Sequence, residues 1–313
     1  MRFYRIWPMN TTKTHHSQGV WKILLAVAAA IWGGSFVVIK GALDVVPAAW
    51  LMFVRFLGAS LIVGIIFNKE LRQHLDRGHL LCGAVLGLFS GSAFVIQNVG
   101  LSTISPGRNA FLTATYCVMV PFINWGISRR KPGLANVAAA VLAIGGIGLL
   151  SLGDDLSVSL SFGEWLTLAS AVLYALHIVA VSRFSAGRDV MTMTIVQLAV
   201  SALVSLAAAL AIGHPLDLAV FAQPSMWGAL AYLILLSSCV CMVLQNLGQA
   251  HVPPAQASLL LSLESVFAVI ASVLFYGEVV TPRLAAGFAS IFIAVLVSEL
   301  APSLKERFST KKA

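Results

Sequence analysis

About ten apolar stretches, each roughly 18–23 residues long, run through this sequence with only short polar breaks between them. As an α-helix rising about 1.5 Å per residue, such a stretch crosses a hydrocarbon core of about 30 Å. Inside lipid every backbone N–H and C=O must find a partner in its own segment, so a lone stretch of this length is a helix and not an open strand. The stretches are 21–40, 48–67, 79–99, 107–128 and 133–152, then 163–182, 190–212, 225–246, 255–276 and 282–301. The expectation is an all-α integral membrane protein of ten transmembrane helices. The first stretch resembles the apolar part of a signal peptide, but it is long and lacks a small-x-small cleavage site before Lys40, so it is expected to stay.

Only 10% of the 313 residues are charged and 59% are hydrophobic, against about 25% charged in a soluble domain. The net charge of +8 could suit nucleic acid, but its distribution argues otherwise. Arg2, Arg5, Lys13 and Lys22 open the chain, followed by Lys69, Arg72 and Arg77, by Arg129, Arg130 and Lys131, by Arg183 and Arg188, and by Lys305, Arg307, Lys311 and Lys312. With ten spans, all of these fall on one side. The other side holds Lys40, Arg108 and Arg283, beside the acidic Asp154, Asp155 and Glu164. This asymmetry predicts that both termini are cytoplasmic, and nucleic acid is not an expected partner. Cys82, Cys117, Cys239 and Cys241 lie in apolar runs and are read as packing residues. The sequon at Asn10 falls in the predicted cytoplasmic tail, where it is a chance match.

The sequence also repeats itself. Gln97-Asn98 and Gln245-Asn246 stand 148 residues apart, as do Pro106 and Pro254. Trp32 and Tyr174, like Arg55 and Gln197, are 142 apart, and Pro132 and Pro282 are 150 apart. Pro47, Pro106, Pro132, Pro253-Pro254 and Pro282 each stand where a stretch begins, a position that tolerates proline. Each copy holds five spans. An odd number makes the second copy enter the membrane from the opposite side, so the expected architecture is two inverted five-helix repeats meeting near the midplane. The boundaries are a tail at 1–20, repeats at 21–152 and 163–301, and a basic tail at 302–313.

Polar groups at membrane depth are costly, by about 2.5–3.5 kcal/mol for a central charge, so they carry the functional signal. Arg55 is either an anion contact in a cavity or a side chain reaching back to the interface. Glu264, central in its span, and His177 are candidates for proton coupling; a structural pairing or packing role is the alternative for each. Gln97, Asn98, Gln245 and Asn246 either cap and join helices or line a route. Trp32, beside Gly33-Gly34-Ser35, and Tyr116 and Tyr174 would supply aromatic walls. Trp21, Trp50, Trp125, Trp165 and Trp227 are read as interface residues. Gly83, Gly87 and Gly91 form a small-residue ridge, either for packing inside the chain or for a homodimer. No Gly-x-x-x-x-Gly-Lys-Ser/Thr, no His-Glu-x-x-His and no metal-spaced His or Cys cluster occurs, so neither a cofactor nor a metal is expected.

Ile31-Trp32-Gly33-Gly34-Ser35-Phe36, Arg55, Gly100-Leu101 through Ser105-Pro106-Gly107, Ala110-Phe111-Leu112, Ser262-Leu263-Glu264 and Tyr276-Gly277-Glu278 together resemble the drug/metabolite transporter superfamily, in particular its EamA-domain members, over about residues 22–300. Arg129-Arg130-Lys131 stands where many members have Gly-Glu, and Ser265 where a proline often follows the glutamate. The resemblance implies an inner-membrane permease, a secondary carrier of amino acids or similar small metabolites, often an efflux protein, working by alternating access. Trp32, Ser35, Arg55, Gln97, Asn98, Tyr116, Tyr174, His177, Gln245 and Asn246 would contact the substrate, and the lipid bilayer would be the other partner. The rival expectation is a membrane protein that moves nothing, either an intramembrane enzyme or a scaffold.

Overall fold

The computed structural model describes residues 15–129, 131–151, 159–213 and 215–310. Arg2, Arg5, Lys13, the Asn10 sequon, Arg130, Asp154, Asp155, Lys311 and Lys312 lie outside them. Among the described residues every regular element is helical: α1 (His15–Leu43), α2 (Ala48–Ile66), α3 (Asn68–His74), α4 (Arg77–Thr103), α5 (Pro106–Ala114), α6 (Tyr116–Ser128), α7 (Leu134–Ser151), α8 (Phe162–Phe184), α9 (Val190–Ile212), α10 (Pro224–Ala231), α11 (Cys241–His251), α12 (Pro254–Ala271) and α13 (Pro282–Thr310). Among the described residues eight helical segments are long and apolar enough to cross a membrane, and Leu134–Leu149 and Pro282–Val297 are shorter apolar helices.

The molecule is built inside out relative to a soluble protein. Ile65, Ile144, Leu203, Leu210 and Phe275 face outward, each more than 60% exposed, whereas Ser90, Gln197, Ser201, Ser205, Ser237 and Ser238 are at most 1% exposed. Such a surface is stable only against lipid, and this is a membrane protein. Trp165 and Trp227, each 60% exposed near a helix start, suit an interfacial position.

Helix starts are set by side chains that satisfy free N–H groups. Ser105 accepts from Arg108 N–H ahead of Pro106, and Ser161 and Glu164 form a reciprocal capping box. Asp76 caps α4, and its carboxyl is held below the usual carboxylate range first by the His79 N–H and then by the His79 ring. Gly213 and Gly277 end their helices at positive φ.

Three features depart from the sequence-based expectation. Helices α4 and α11 run on to Thr103 and His251, so Gln97-Asn98 and Gln245-Asn246 sit inside helices and cap nothing. The unexpected α3 follows α2. The fourth stretch breaks at Thr115, whose N–H turns to Leu112 C=O at 3.3 Å, and Pro121 lies inside α6. Proline removes one helical donor and crowds the carbonyl four residues back.

Helix α4 packs between α8 and α9, α1 packs against α12 and α11, and α7 pairs with α13. The glycine ridge of α4 is used within the chain: a Cβ on Gly83, Gly87 or Gly91 would come within 2.6–2.8 Å of Val196, Val200 or Ser201. The ridge is therefore covered by α9 and is not free for a second copy. Contacts define two ends of the bundle. Lys40 Nζ donates to Leu101 and Ser102 carbonyls, and Arg108 pairs with Glu164, at what we call the Pro106 end. Asp189 N–H donates to His79 Nε2, and the Trp21 ring stacks on His251, at the Trp21 end.

Candidate functional site

Between these ends lies a cavity of about 580 Å³, mouth included, walled by α1, α4, α6, α8, α11 and α12. Trp32, Ser35, Gln97, Asn98, Tyr116, Tyr174, His177, Gln245 and Glu264, all singled out in the sequence, line it together. Phe36, Ile39, Ser90, Phe94, Ile178, Met242 and Leu261 complete the wall. These seven were missed. Six are apolar, and apolar residues in a membrane helix stand out only by azimuth, which sequence alone does not give.

Each polar wall residue is held by something behind it. The Trp32 indole N–H donates to Ser237 C=O at 2.7 Å. That carbonyl is reachable because the chain is π-helical from Tyr232 to Val240, and Cys241 N–H bonds Leu236 and Ser238, bypassing Ser237. Single π segments of this kind recur at functional sites. Tyr174 hydroxyl donates to Gln97 Oε1 at 2.8 Å, and Gln97 Nε2 donates to Thr113 Oγ1 at 2.9 Å, so this amide is fixed at both ends. His177 accepts at Nε2 from Gln197 Nε2 at 2.8 Å. Gln197 also donates to Ser90 Oγ and accepts from Asn246 Nδ2 at 2.8 Å. The imidazole is thus presented as a neutral ring with its second nitrogen carrying the proton.

The break at Thr115 starts α6 at Tyr116, which stands beside Tyr174 and the Glu264 carboxyl. The Gln245 side chain makes no hydrogen bond among the described residues and faces the cavity, free to meet a ligand.

Two candidates lie outside the wall. Asn246 turns away to Thr194 and Gln197. Arg55 is fully buried and does not reach back to the interface. Its Nε donates to Ser238 Oγ at 2.5 Å, its Nη2 donates to Ser237 Oγ at 3.0 Å, and its guanidinium lies 4.8 Å from the Phe94 ring centroid. The Arg55 charge therefore sits one ring behind the wall, and among the described residues that line the cavity Glu264 supplies the one carboxyl group. At the Pro106 end, Glu278 is gripped by Ser105 Oγ, by Gly107 N–H at 3.0 Å and by Ser272 Oγ. Among the described residues no group of three or more His, Cys, Asp or Glu side chains could hold a metal.

The family model for the EamA-like transporter family matches residues 19–152 and again 161–300. An "Uncharacterized transporter" of Archaeoglobus fulgidus is 27% identical over 276 residues, covering 88% of this chain and 84% of that protein. A second "Uncharacterized transporter" of that organism is 28% identical over 191 residues, covering 59% of this chain and 63% of that one. One solved structure, titled only as a crystal structure of a protein, shares the fold with a TM-score of 0.66 at 16% identity, over 90% of this chain and 97% of its own. The chain belongs to the EamA-like transporter family.

Proposed function

We propose that this member of the EamA-like transporter family is a secondary carrier that moves a small neutral or zwitterionic metabolite, such as an amino acid, across the cytoplasmic membrane by alternating access. Two five-helix repeats of opposite orientation, residues 21–152 and 163–301, move against each other around the cavity, with both termini in the cytoplasm. The shorter apolar helices Leu134–Leu149 and Pro282–Val297 serve as the fifth span of each repeat, completing ten.

The make-up of the cavity wall carries this reading. Trp32 and Tyr174, Ser35 and His177, and Phe36 and Ile178 stand 142 residues apart. Phe94 and Met242, Gln97 and Gln245, and Tyr116 and Glu264 stand 148 apart. These are the offsets that relate Arg55 to Gln197 and Asn98 to Asn246 in the sequence. A chamber drawn in matched pairs from two copies lies on the seam between them, where carriers built from inverted repeats hold their cargo.

The wall's chemistry bounds the cargo. It presents aromatic faces, free and fixed amides, a neutral imidazole and one carboxyl group, with no lysine or arginine. A cargo ammonium suits Glu264 beside Tyr116, and polar groups suit Gln245 and Asn98, so a zwitterion fits better than a polyanion. Glu264 and His177 are the groups that exchange a proton if transport is proton-coupled.

Purified protein in liposomes tests the reading with a mixture of labelled amino acids. Saturable uptake is expected, falling about tenfold or more in Glu264→Gln and in Trp32→Ala. Absence of flux for every solute offered, together with turnover of a bilayer lipid, would replace the carrier by an enzyme.

A further inference from the structure

Gln249 is buried to 2% exposure in α11, and neither its amide nitrogen nor its amide oxygen has a hydrogen-bond partner among the described residues. Other orphaned amides, at Asn98, Asn109, Asn246 and Gln256, leave only the oxygen unmatched. An amide with both ends unpaired inside a protein in lipid is costly, and a Leu of similar size would remove the cost. On a helix of about 3.6 residues per turn Gln249 falls between Met242 and Gln245 in azimuth, and it lies about 6 Å beyond Gln245 toward the Trp21 end. Met242 and Gln245 both line the cavity. The polar face of α11 therefore continues past the chamber floor into a sealed region.

The seal is the seam between α1 and α11. A Cβ on Gly248 would come within 2.7 Å of Leu25 Cγ, so the Leu25 side chain packs directly on the α11 backbone there. Nearer the cavity, Cys241 Sγ faces Ala28 C=O at 3.6 Å. At the rim the rings of Trp21 and His251 stack with centroids 4.1 Å apart and planes 9° from parallel.

The opposite end has a counterpart built from the same positions. Gly100, 148 residues before Gly248, packs on Thr167, 142 after Leu25, and a Cβ on Gly100 would come within 2.7 Å of Thr167 Oγ1. Gly163, 142 after Trp21, meets Thr103, 148 before His251. There the position matching Gln249 is Leu101, fully buried and apolar. Two equivalent seams stand at the two ends, and beside one of them, one residue on from Gly248, lies a buried unpartnered amide.

We infer that the α1–α11 seam is the gate at the Trp21 end and that Gln249 is a further pathway residue, which binds water and the polar groups of the cargo when that seam parts. In this closed arrangement the amide is stranded; in the open one it extends the row of Gln245 toward the exit. The inference rests on the carrier reading for what passes the gate, while the gate itself can be tested without any cargo.

The experiment places Gln249→Cys in a chain whose four native cysteines are replaced by alanine or serine, reconstituted in liposomes. The probe is a methanethiosulfonate reagent with a trimethylammonium head, and labelling is followed by mass. The thiol introduced by Gln249→Cys is expected to react slowly when the seam is intact, and about tenfold faster or more when Leu25→Trp wedges it or Trp21→Ala removes its rim. Leu101→Cys, at the other seam, should not respond. Equal rates for Gln249→Cys in the intact and both opened backgrounds would overturn the gate. In a second arm, Gln249→Leu should keep or raise the melting temperature in detergent while lowering amino-acid flux about tenfold. A lowered melting temperature with unchanged flux would make the amide a structural group and overturn its pathway role. If wild-type protein moves nothing, the carrier reading fails while the labelling arm still decides the gate.

Discussion

Arg55 shows why depth along a helix does not settle what a side chain touches. Its position in the second stretch was readable, and so was its expense in lipid, but whether it turned to the cavity, to the interface or to a neighbouring helix was not. The deciding partners, Ser237 and Ser238, lie more than 180 residues away, on a π-helical stretch that no local pattern announced. The same is true of Asn246, which sits next to the wall residue Gln245 and still points elsewhere. A shared logic becomes visible afterwards: Arg55 donates to Ser238, and Gln197, its equivalent, donates to Ser90, 148 residues before Ser238. The guanidinium reaches two hydroxyls and a ring face at once because it is a flat fork, which a lysine ammonium cannot imitate. Arg55→Lys should therefore lower stability by about 1.5–3 kcal/mol, the range for hydrogen bonds to a charged group. Thermal unfolding in detergent reads this, and an unchanged midpoint would mean that the fork contributes nothing.

Helices as elements were largely visible, since long apolar stretches leave no other structure in lipid. Their ends were less so. Hydropathy drops at Gln97-Asn98 and Gln245-Asn246, yet α4 and α11 continue, with Gln97 held by Thr113 and Tyr174 and the Asn246 amide nitrogen held by Thr194 and Gln197. Small residues, in contrast, gave a face without naming its partner. The structure supplies the partner and an internal comparison. A Cβ on Gly87 would stand 2.6 Å from Val200 Cβ and 2.7 Å from Gln197 C=O, and the backbone oxygen cannot yield cheaply. Gly145 in α7 meets nothing within 4 Å. Gly87→Ala should cost about 1–3 kcal/mol by forcing α4 from α9, and it should disturb the Gln197 amide that holds His177. Gly145→Ala should be neutral or stabilising by about 0.5–1 kcal/mol, from helix propensity. Paired melting curves check both, and equal effects would remove close packing as the reason for the ridge.

At the scale of the molecule, the repeat offsets read from the sequence recur in the cavity wall, because a duplicated fold places equivalent side chains on one seam. What the offsets leave open is whether the copies run parallel or inverted, and this can be decided at two loops. Arg72 in α3 follows the second apolar helix of the first copy, and Asp217 follows its counterpart, α9, in the second; both are exposed. In a parallel duplication these equivalent points share a membrane face. In the inverted arrangement they are on opposite faces, with Arg72 among the basic segments that favour the cytoplasm and Asp217 in a segment free of lysine and arginine. Single cysteines at the two positions, in a chain cleared of native cysteines, are exposed in intact cells to a membrane-impermeant maleimide. Asp217→Cys should label at once, and Arg72→Cys only after the cells are permeabilised. Labelling of both in intact cells, or of neither, would place the two copies in parallel and overturn the inverted arrangement.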